Sequence, residues 1–233
     1  MKLTALAIAL LAAVPAGAGE RVAWIWDKAD MPVWSASHAA LLDRHILLAA
    51  DAIRTRAGSH LPVSTATRVT PVLHVEVSTI HPPTNIEASR AAIVGAMLQA
   101  AAHSTSGRVQ LDMEAKPSQR DFYRSLVRDV RAALPADIAL SVTALGWWCR
   151  SPAWLDGLAA DEVVPMFFRM GKDGAALREL VEHAPQSLHP SCRGGSAGFS
   201  PQEPFSEQTT GRYRRTYWFD YHAWRQTAAP RSP

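Results

Sequence analysis

The chain has 233 residues, 48% of them hydrophobic and 19% charged, with a formal net charge of +3. That length suits one domain of moderate size or one complete α/β barrel, and the composition is that of a globular protein with a substantial core. The charge is small and the basic residues are scattered, which argues against a nucleic-acid partner.

Residues 1–18 read as a cleaved signal peptide. Lys2 supplies the positive start, residues 3–14 are almost entirely apolar, and Ala16-Gly17-Ala18 is a small-x-small cleavage site. The apolar run is short for a bilayer span, no cysteine follows the cleavage site, and no later segment is long and apolar enough to cross a membrane. The expectation is a mature protein beginning near Gly19 and exported to the periplasm or beyond. One domain covers 19–226, and 227–233 form a loose tail. In an oxidising compartment Cys149 and Cys192 form a disulfide by default, two buried free thiols being the alternative.

Residues 21–26 (RVAWIW) read as a first strand, 34–43 as a short helical stretch and 45–50 as a second strand. Residues 54–68 alternate and turn at Ala57-Gly58-Ser59, which predicts a hairpin. Residues 71–78 (PVLHVEVS) form a third strand, with Leu73, Val75 and Val77 on one face and His74, Glu76 and Ser78 on the other. Thr84 and Glu87 have capping-box spacing before a helix to about Ala102, with Ile86, Ile93, Met97 and Leu98 as its stripe. In the fourth strand, 110–114, side chains alternate, so Gln110, Asp112 and Glu114 share one face and Leu111 and Met113 the other. Ser118 opens an amphipathic helix with Phe122, Leu126, Val130 and Leu134, stopped by Pro135. Residues 138–145 are a fifth strand and 151–158 a short helix. In the sixth strand, 162–168, Pro165 implies a bulge or a strand end. Asp173 caps a helix to about Glu182, a weak seventh strand follows at 196–199, and 215–220 (RTYWFD) is the eighth.

This βαβα alternation implies a parallel sheet, and eight strands in roughly 200 residues fit a single-domain α/β fold, a (β/α)8 TIM-like barrel. An open doubly wound sheet is the alternative, disfavoured because no Gly-rich phosphate loop follows any strand.

Two carboxylates spaced i, i+2 at the end of a buried strand are costly unless hydrogen-bonded or used. The plain alternative is a strand end whose acids cap the next helix. Barrel active sites lie at the C-terminal strand ends. There the sequence places Glu76, Asp112, Glu114, Trp147, Trp148, Phe168, Arg169, Asp220 and Tyr221, with Glu203 in a nearby loop. Neighbouring strands stand about 4.8 Å apart, so His74, Glu76, Asp112 and Glu114 form one cluster, and crowding pushes carboxylate pKa values apart. Trp24 and Trp26 share a strand face, and Trp147, Trp148, Trp218, Tyr221 and Trp224 lie at or past strand ends. Flat aromatic faces beside carboxylates suit a carbohydrate, although core packing is the plainer role for any single tryptophan. His74, Glu76 and Asp112 are a non-specific metal-ligand set and no helical His-x-x-x-His pair exists, so neither metal nor cofactor is expected. A Ser-His-Asp triad lacks its Gly-x-Ser-x-Gly elbow.

The segments VQLDMEA, FYRSLVRDVRAALP, SVTALGWWC, DEVVPMFFRMG and the CRGG loop, in that order, resemble a family of exported bacterial proteins catalogued as a domain of unknown function. That resemblance implies a TIM barrel. More distantly the chain looks like the chitinase-type glycoside hydrolases, whose fourth strand ends in Asp-x-Glu. It implies Glu114 as general acid and Asp112 as orienter, with Met166 and Trp218 on matching strands. The chain departs from the chitinase pattern at Gly107, Gln110, Phe168 and Arg169.

The sequence thus implies a glycoside-hydrolase-like barrel acting on a polysaccharide. Glu114 is the acid, Asp112 its pKa partner, and Glu76 a base or nucleophile. Trp26, His74, Gln110, Trp148, Met166, Arg169, Trp218 and Asp220 are the expected substrate-binding residues. The rival from another class is a non-catalytic glycan-binding or polysaccharide-assembly protein on the same scaffold, since fold does not fix function.

Overall fold

The computed structural model describes residues 19–31 and 36–220. The expected signal peptide, Trp34, Tyr221, Trp224 and the expected tail lie outside the described residues. The strands are β1 (Glu20–Ile25), β2 (His38–Ala49), β3 (Ala52–Ala57), β4 (Arg68–Val77), β5 (Arg108–Met113), β6 (Ala139–Leu145), β7 (Glu162–Met166), β8 (Ser196–Phe199) and β9 (Arg215–Phe219). They form one sheet in the order β1-β9-β8-β7-β6-β5-β4-β2-β3, and β1 also pairs with β2. That pairing closes a ring of eight parallel strands, with β3 an antiparallel addition to β2. The fold is a (β/α)8 TIM-like barrel. Helices α1 (Ile86–Ala101), α2 (Arg120–Ala133) and α4 (Gly174–His183) pack outside, while α3 (Pro152–Leu155) and α5 (Glu207–Thr210) are single turns.

Strand alternation sorts the core into layers. Val22, Trp24, Ala40, Val72, Val164, Tyr217 and Phe219 fill the barrel interior. Leu73, Leu111 and Val142 face outward against Ile93 and Met97 of α1 and Leu126 and Val130 of α2. Over the outer face of β1 and β2, loop residues Met31, Ala36 and Leu61 cover Ala23, Ile25 and Ala39.

Several local expectations are corrected. The described part of the segment read as helix over 34–43 belongs to β2, which begins at His38. The hairpin turns at Ala50, where φ is +44°, and not at residues 57–59. The cap of α1 is Asn85, whose Oδ1 accepts from the Ala88 N–H at 2.9 Å. Thr84 is occupied elsewhere, donating its own N–H to the Ala50 carbonyl at 2.8 Å and so tying this loop to the hairpin tip. Asp173 precedes α4 without a side-chain capping bond. Pro165 sits inside β7 opposite Ala144, and the β7–β8 ladder is confined to Met166 and Gly198, beyond the proline.

The N-terminal end of the barrel is sealed by charge. Glu162, nearly buried, accepts from Ser196 Oγ at 2.6 Å, Arg215 Nη1 at 2.6 Å and Tyr217 OH at 2.9 Å, with Arg108 Nε at 3.1 Å. Glu20 of β1 accepts from Arg215 Nε at 2.6 Å and bonds His38 Nδ1 at 2.9 Å. Burial alone would raise the Glu20 carboxyl, but His38 and Arg215 outweigh it and hold it at about 2. This network stitches β1, β2 and β9 together where the ring closes.

Cys149 and Cys192 form a disulfide with Cα atoms 5.9 Å apart. Cys149 follows the top of β6, but the chain turns back outside the barrel there. The His189 N–H donates to the Cys149 carbonyl at 2.7 Å, laying the turn at Pro190–Cys192 alongside it. Among the described residues no helix is long and apolar enough to cross a membrane.

Candidate active site

Polar side chains pointing into the upper barrel are stacked in layers set by strand register. Val72, Gln110 and Ser141 lie level on β4, β5 and β6, and Gln110 Nε2 donates to Ser141 Oγ at 3.0 Å. One layer higher His74 pairs with Asp112. Asp112 is 2% exposed and spends both oxygens: Oδ2 on His74 Nδ1 at 2.8 Å, and Oδ1 on the Thr143 hydroxyl at 2.7 Å. Burial pulls the His74 imidazole down, but the charge and hydrogen bond of Asp112 win and raise it.

Past β5 the chain turns tightly, the Ala115 N–H donating to the Met113 carbonyl at 2.9 Å, and Glu114 stands at the mouth. It borders two spaces. One is a cavity of about 330 Å³ with Asp112 in its lining and aromatic walls of Trp24, Trp26, Trp147, Phe168 and Phe219. The other is a groove of about 510 Å³ shared with His74, Glu76 and Arg169. Glu114 is itself exposed, but partial desolvation beside these walls and then the charge of Asp112 push its carboxyl upward, while His74 and Arg169 oppose the shift. Among the described residues none hydrogen-bonds the Glu114 carboxyl. Glu76, on the next strand and largely exposed, lies 3.3 Å from His45 Nε2 and 3.8 Å from His74 Nε2. Asp112 and Glu76 therefore border different spaces, and Glu114 joins them.

Trp26 divides the cavity from the histidine side, its ring centroid 4.5 Å from that of His74. The loop beneath it is held by Asp30, whose Oδ2 accepts from the Trp26 and Asp27 N–H groups at 2.9 and 3.0 Å. Burial drives Asp30 up to about 6 in spite of those two donors. Arg169 adopts a left-handed backbone with φ +50°, and its N–H donates to Glu203 Oε1 at 2.9 Å.

The structure brings Asp112, Glu114, Trp26, Met166 and Arg169 to the cavity lining, and His74 and Glu76 to the adjoining groove. It removes others. Gln110 lies fully buried one layer below Asp112. Trp148 is buried outside the barrel, stacked on Trp154 at 4.1 Å, because the turn after β6 points it away and gives the cavity Trp147 instead. Trp218 faces outward on β9, under the Arg21 guanidinium at 5.2 Å, since alternation turns Tyr217 and Phe219 inward. Asp220 accepts from Gln202 Nε2 at 2.5 Å and lines neither space. Thr143 and His45 were not singled out from sequence. The signal for Thr143 was its polar place on the inward face of a buried strand, beside Ser141.

No family model matches the chain, so membership of the exported bacterial family is not shown, and no curated protein matches it either. Among solved structures the chain is similar to the spore cortex-lytic enzyme SleL of Bacillus cereus, with a TM-score of 0.47 and 16% identity. The overlay covers 78% of this chain and 50% of that one, so this chain spans about half the length of the structure it matches.

Proposed function

We propose that the cleft binds an extended polysaccharide and hydrolyses its glycosidic bonds, with Glu114 as the general acid. One observation carries the reading: a carboxyl with a raised pKa stands over a second, buried carboxylate at the mouth of an aromatic-walled cavity. Aromatic faces stack on sugar rings. On this reading a protonated Glu114 gives its proton to the glycosidic oxygen as the C–O bond breaks, water adds to the anomeric carbon, and Glu76 is the candidate base that takes the proton water loses. The expected disulfide, present in the structure, suits an exported protein.

A specific observation favours the non-catalytic reading. Both oxygens of Asp112 are committed to His74 and Thr143, which leaves that carboxylate unavailable to orient a substrate. Wild type and Glu114→Gln, screened against cell-envelope and exported polysaccharides, separate the two by reducing-end release and by binding. On the hydrolase reading Glu114→Gln loses at least ~100-fold in turnover, the scale of a general acid, and keeps its affinity. Because Glu114 must be protonated to donate, kcat/KM falls as pH rises through its raised pKa. Wild type that binds a glycan but releases no reducing ends at any pH leaves only the binding module.

A further inference from the structure

A second constellation sits beside the proposed acid, built by an irregularity in β2. Register runs Leu42 opposite Val72, then Arg44 opposite Leu73, so Asp43 is an inserted residue. Without that bulge Arg44 would face His74. With it, His45 stands opposite His74, and both rings lie on the inner face with centroids 5.1 Å apart. Bulges re-aim side chains in this way beside functional sites. The bulge is locked from outside: the Gly58 N–H donates to the Asp43 carbonyl at 2.8 Å, and a Cβ at residue 58 would stand 1.7 Å from the Leu42 carbonyl oxygen.

We propose that His45, His74 and Glu76 bind a divalent transition-metal ion, with zinc as the working identity. His45 Nε2 lies 3.3 Å from Glu76 Oε2 and His74 Nε2 lies 3.8 Å from Glu76 Oε1, and one ligand atom from each residue falls within 4.8 Å of the others. Ligands about 2.0–2.1 Å from a tetrahedral zinc stand roughly 3.3–3.4 Å apart, so the His45–Glu76 pair is already at that spacing and side-chain shifts of up to about 1.4 Å bring the others to it. Two further features belong to such a site. Asp112 engages His74 Nδ1 at 2.8 Å, the carboxylate–histidine arrangement that fixes the tautomer and turns the Nε2 lone pair toward the cation. His45 Nε2 is buried and makes no well-formed hydrogen bond, its nearest acceptor being Glu76 Oε2 at 3.3 Å. Two imidazoles select zinc and its neighbours over magnesium or calcium. Three protein ligands leave a coordination position open toward the cleft. The inference goes beyond the hydrolase reading, in which nothing requires a cation, and it uses as a ligand the Glu76 carboxylate that the hydrolase reading uses as a free base.

The test is zinc chloride titrated calorimetrically into untagged, chelator-stripped protein, with cobalt absorption reporting coordination. One ion per chain is expected, with no magnesium uptake. His45→Ala and His74→Ala should each weaken zinc by at least ~10-fold and Asp112→Asn by roughly 10–100-fold, the scale for an outer-shell partner. His183→Ala, on the exposed face of α4, should leave affinity unchanged. Circular dichroism establishes that each variant is folded, and His45→Ala, whose side chain is 23% exposed, carries the decision should Asp112→Asn fail to fold. Absence of zinc uptake, or uptake indifferent to His45→Ala, overturns the proposal. Because no glycan enters the measurement and glycan cleavage is assayed on chelator-stripped protein, where Glu76 is free, a protein that takes zinc but when stripped cuts no glycan fails the hydrolase reading alone, and one that cuts glycan without taking zinc fails this one alone.

Discussion

Trp147 is 36% exposed and lines the mouth cavity, whereas its neighbour Trp148 has no exposed surface and lies flat on Trp154 with 8° between the rings. They share a one-turn 3₁₀ helix, Gly146–Arg150, in which successive side chains point about 120° apart. A sequence can announce two tryptophans at a strand end but not which one the turn sends into the cavity. Trp148→Ala should therefore cost about 3–5 kcal/mol of stability, as for a large buried aromatic, seen as a lowered urea midpoint. Trp147→Ala should cost no more than about 1 kcal/mol and instead weaken glycan binding by about 10-fold, the scale of one stacking contact. Equal stability losses in the two variants would contradict this division. Asp112 and Glu114, by contrast, were legible, because period-2 alternation fixes which face each takes once the strand is found. Their partners were not: nothing marks Thr143 as a partner of Asp112 until the β5–β6 register is known.

Among the elements, most strands and the helices α1, α2 and α4 follow from pattern alone, and β2 is the instructive exception. Its sequence HAALLDRHILLA carries apolar residues on both faces below the bulge, and the inserted Asp43 then breaks the alternation. Neither half looks like a half-buried strand, and the stretch reads as a helix followed by a late strand. The same insertion hides the pairing of His45 with His74, since their distance in sequence says nothing of register. The hairpin turn at Ala50 has no glycine or asparagine to mark it. If the bulge depends on Gly58, then Gly58→Ala must displace the Leu42 carbonyl and should cost roughly 1–3 kcal/mol or more, the usual range for overpacking. Gly95→Ala, in the middle of α1 with open space around the added methyl, should add roughly 0.5–1 kcal/mol. Urea unfolding with unchanged slopes reads both, and a Gly58→Ala protein as stable as wild type would show that the bulge needs no such close approach.

Across the whole molecule the two ends of the barrel carry different loads. The N-terminal end is closed by Glu20, Glu162 and Arg215 across β1, β7 and β9, and the C-terminal end is left open with its acids and aromatic walls. The wall between them is uneven. On the side of β4 and β5 it is backed by α1 and α2, but the crossover from β6 to β7 contains only the short 3₁₀ helix Gly146–Arg150 and the single turn α3, and β7 meets β8 through one residue pair. The disulfide lies on this thin side, linking the end of β6 to the turn that leads into β8. Its 43-residue separation corresponds to about 4 kcal/mol of loop-closure entropy in the chain-entropy model. Unfolded but unreduced protein should show no free thiol and, after reduction, two. The Cys149→Ala/Cys192→Ala protein should lose about 4 kcal/mol, and its amide exchange should quicken in β7 and β8 well before β4 and β5, because the unbridged sector opens first. An unchanged urea midpoint would mean that the unfolded chain is already restrained. Uniform exchange would mean that the barrel opens only as a whole and that the bridge guards no weaker sector.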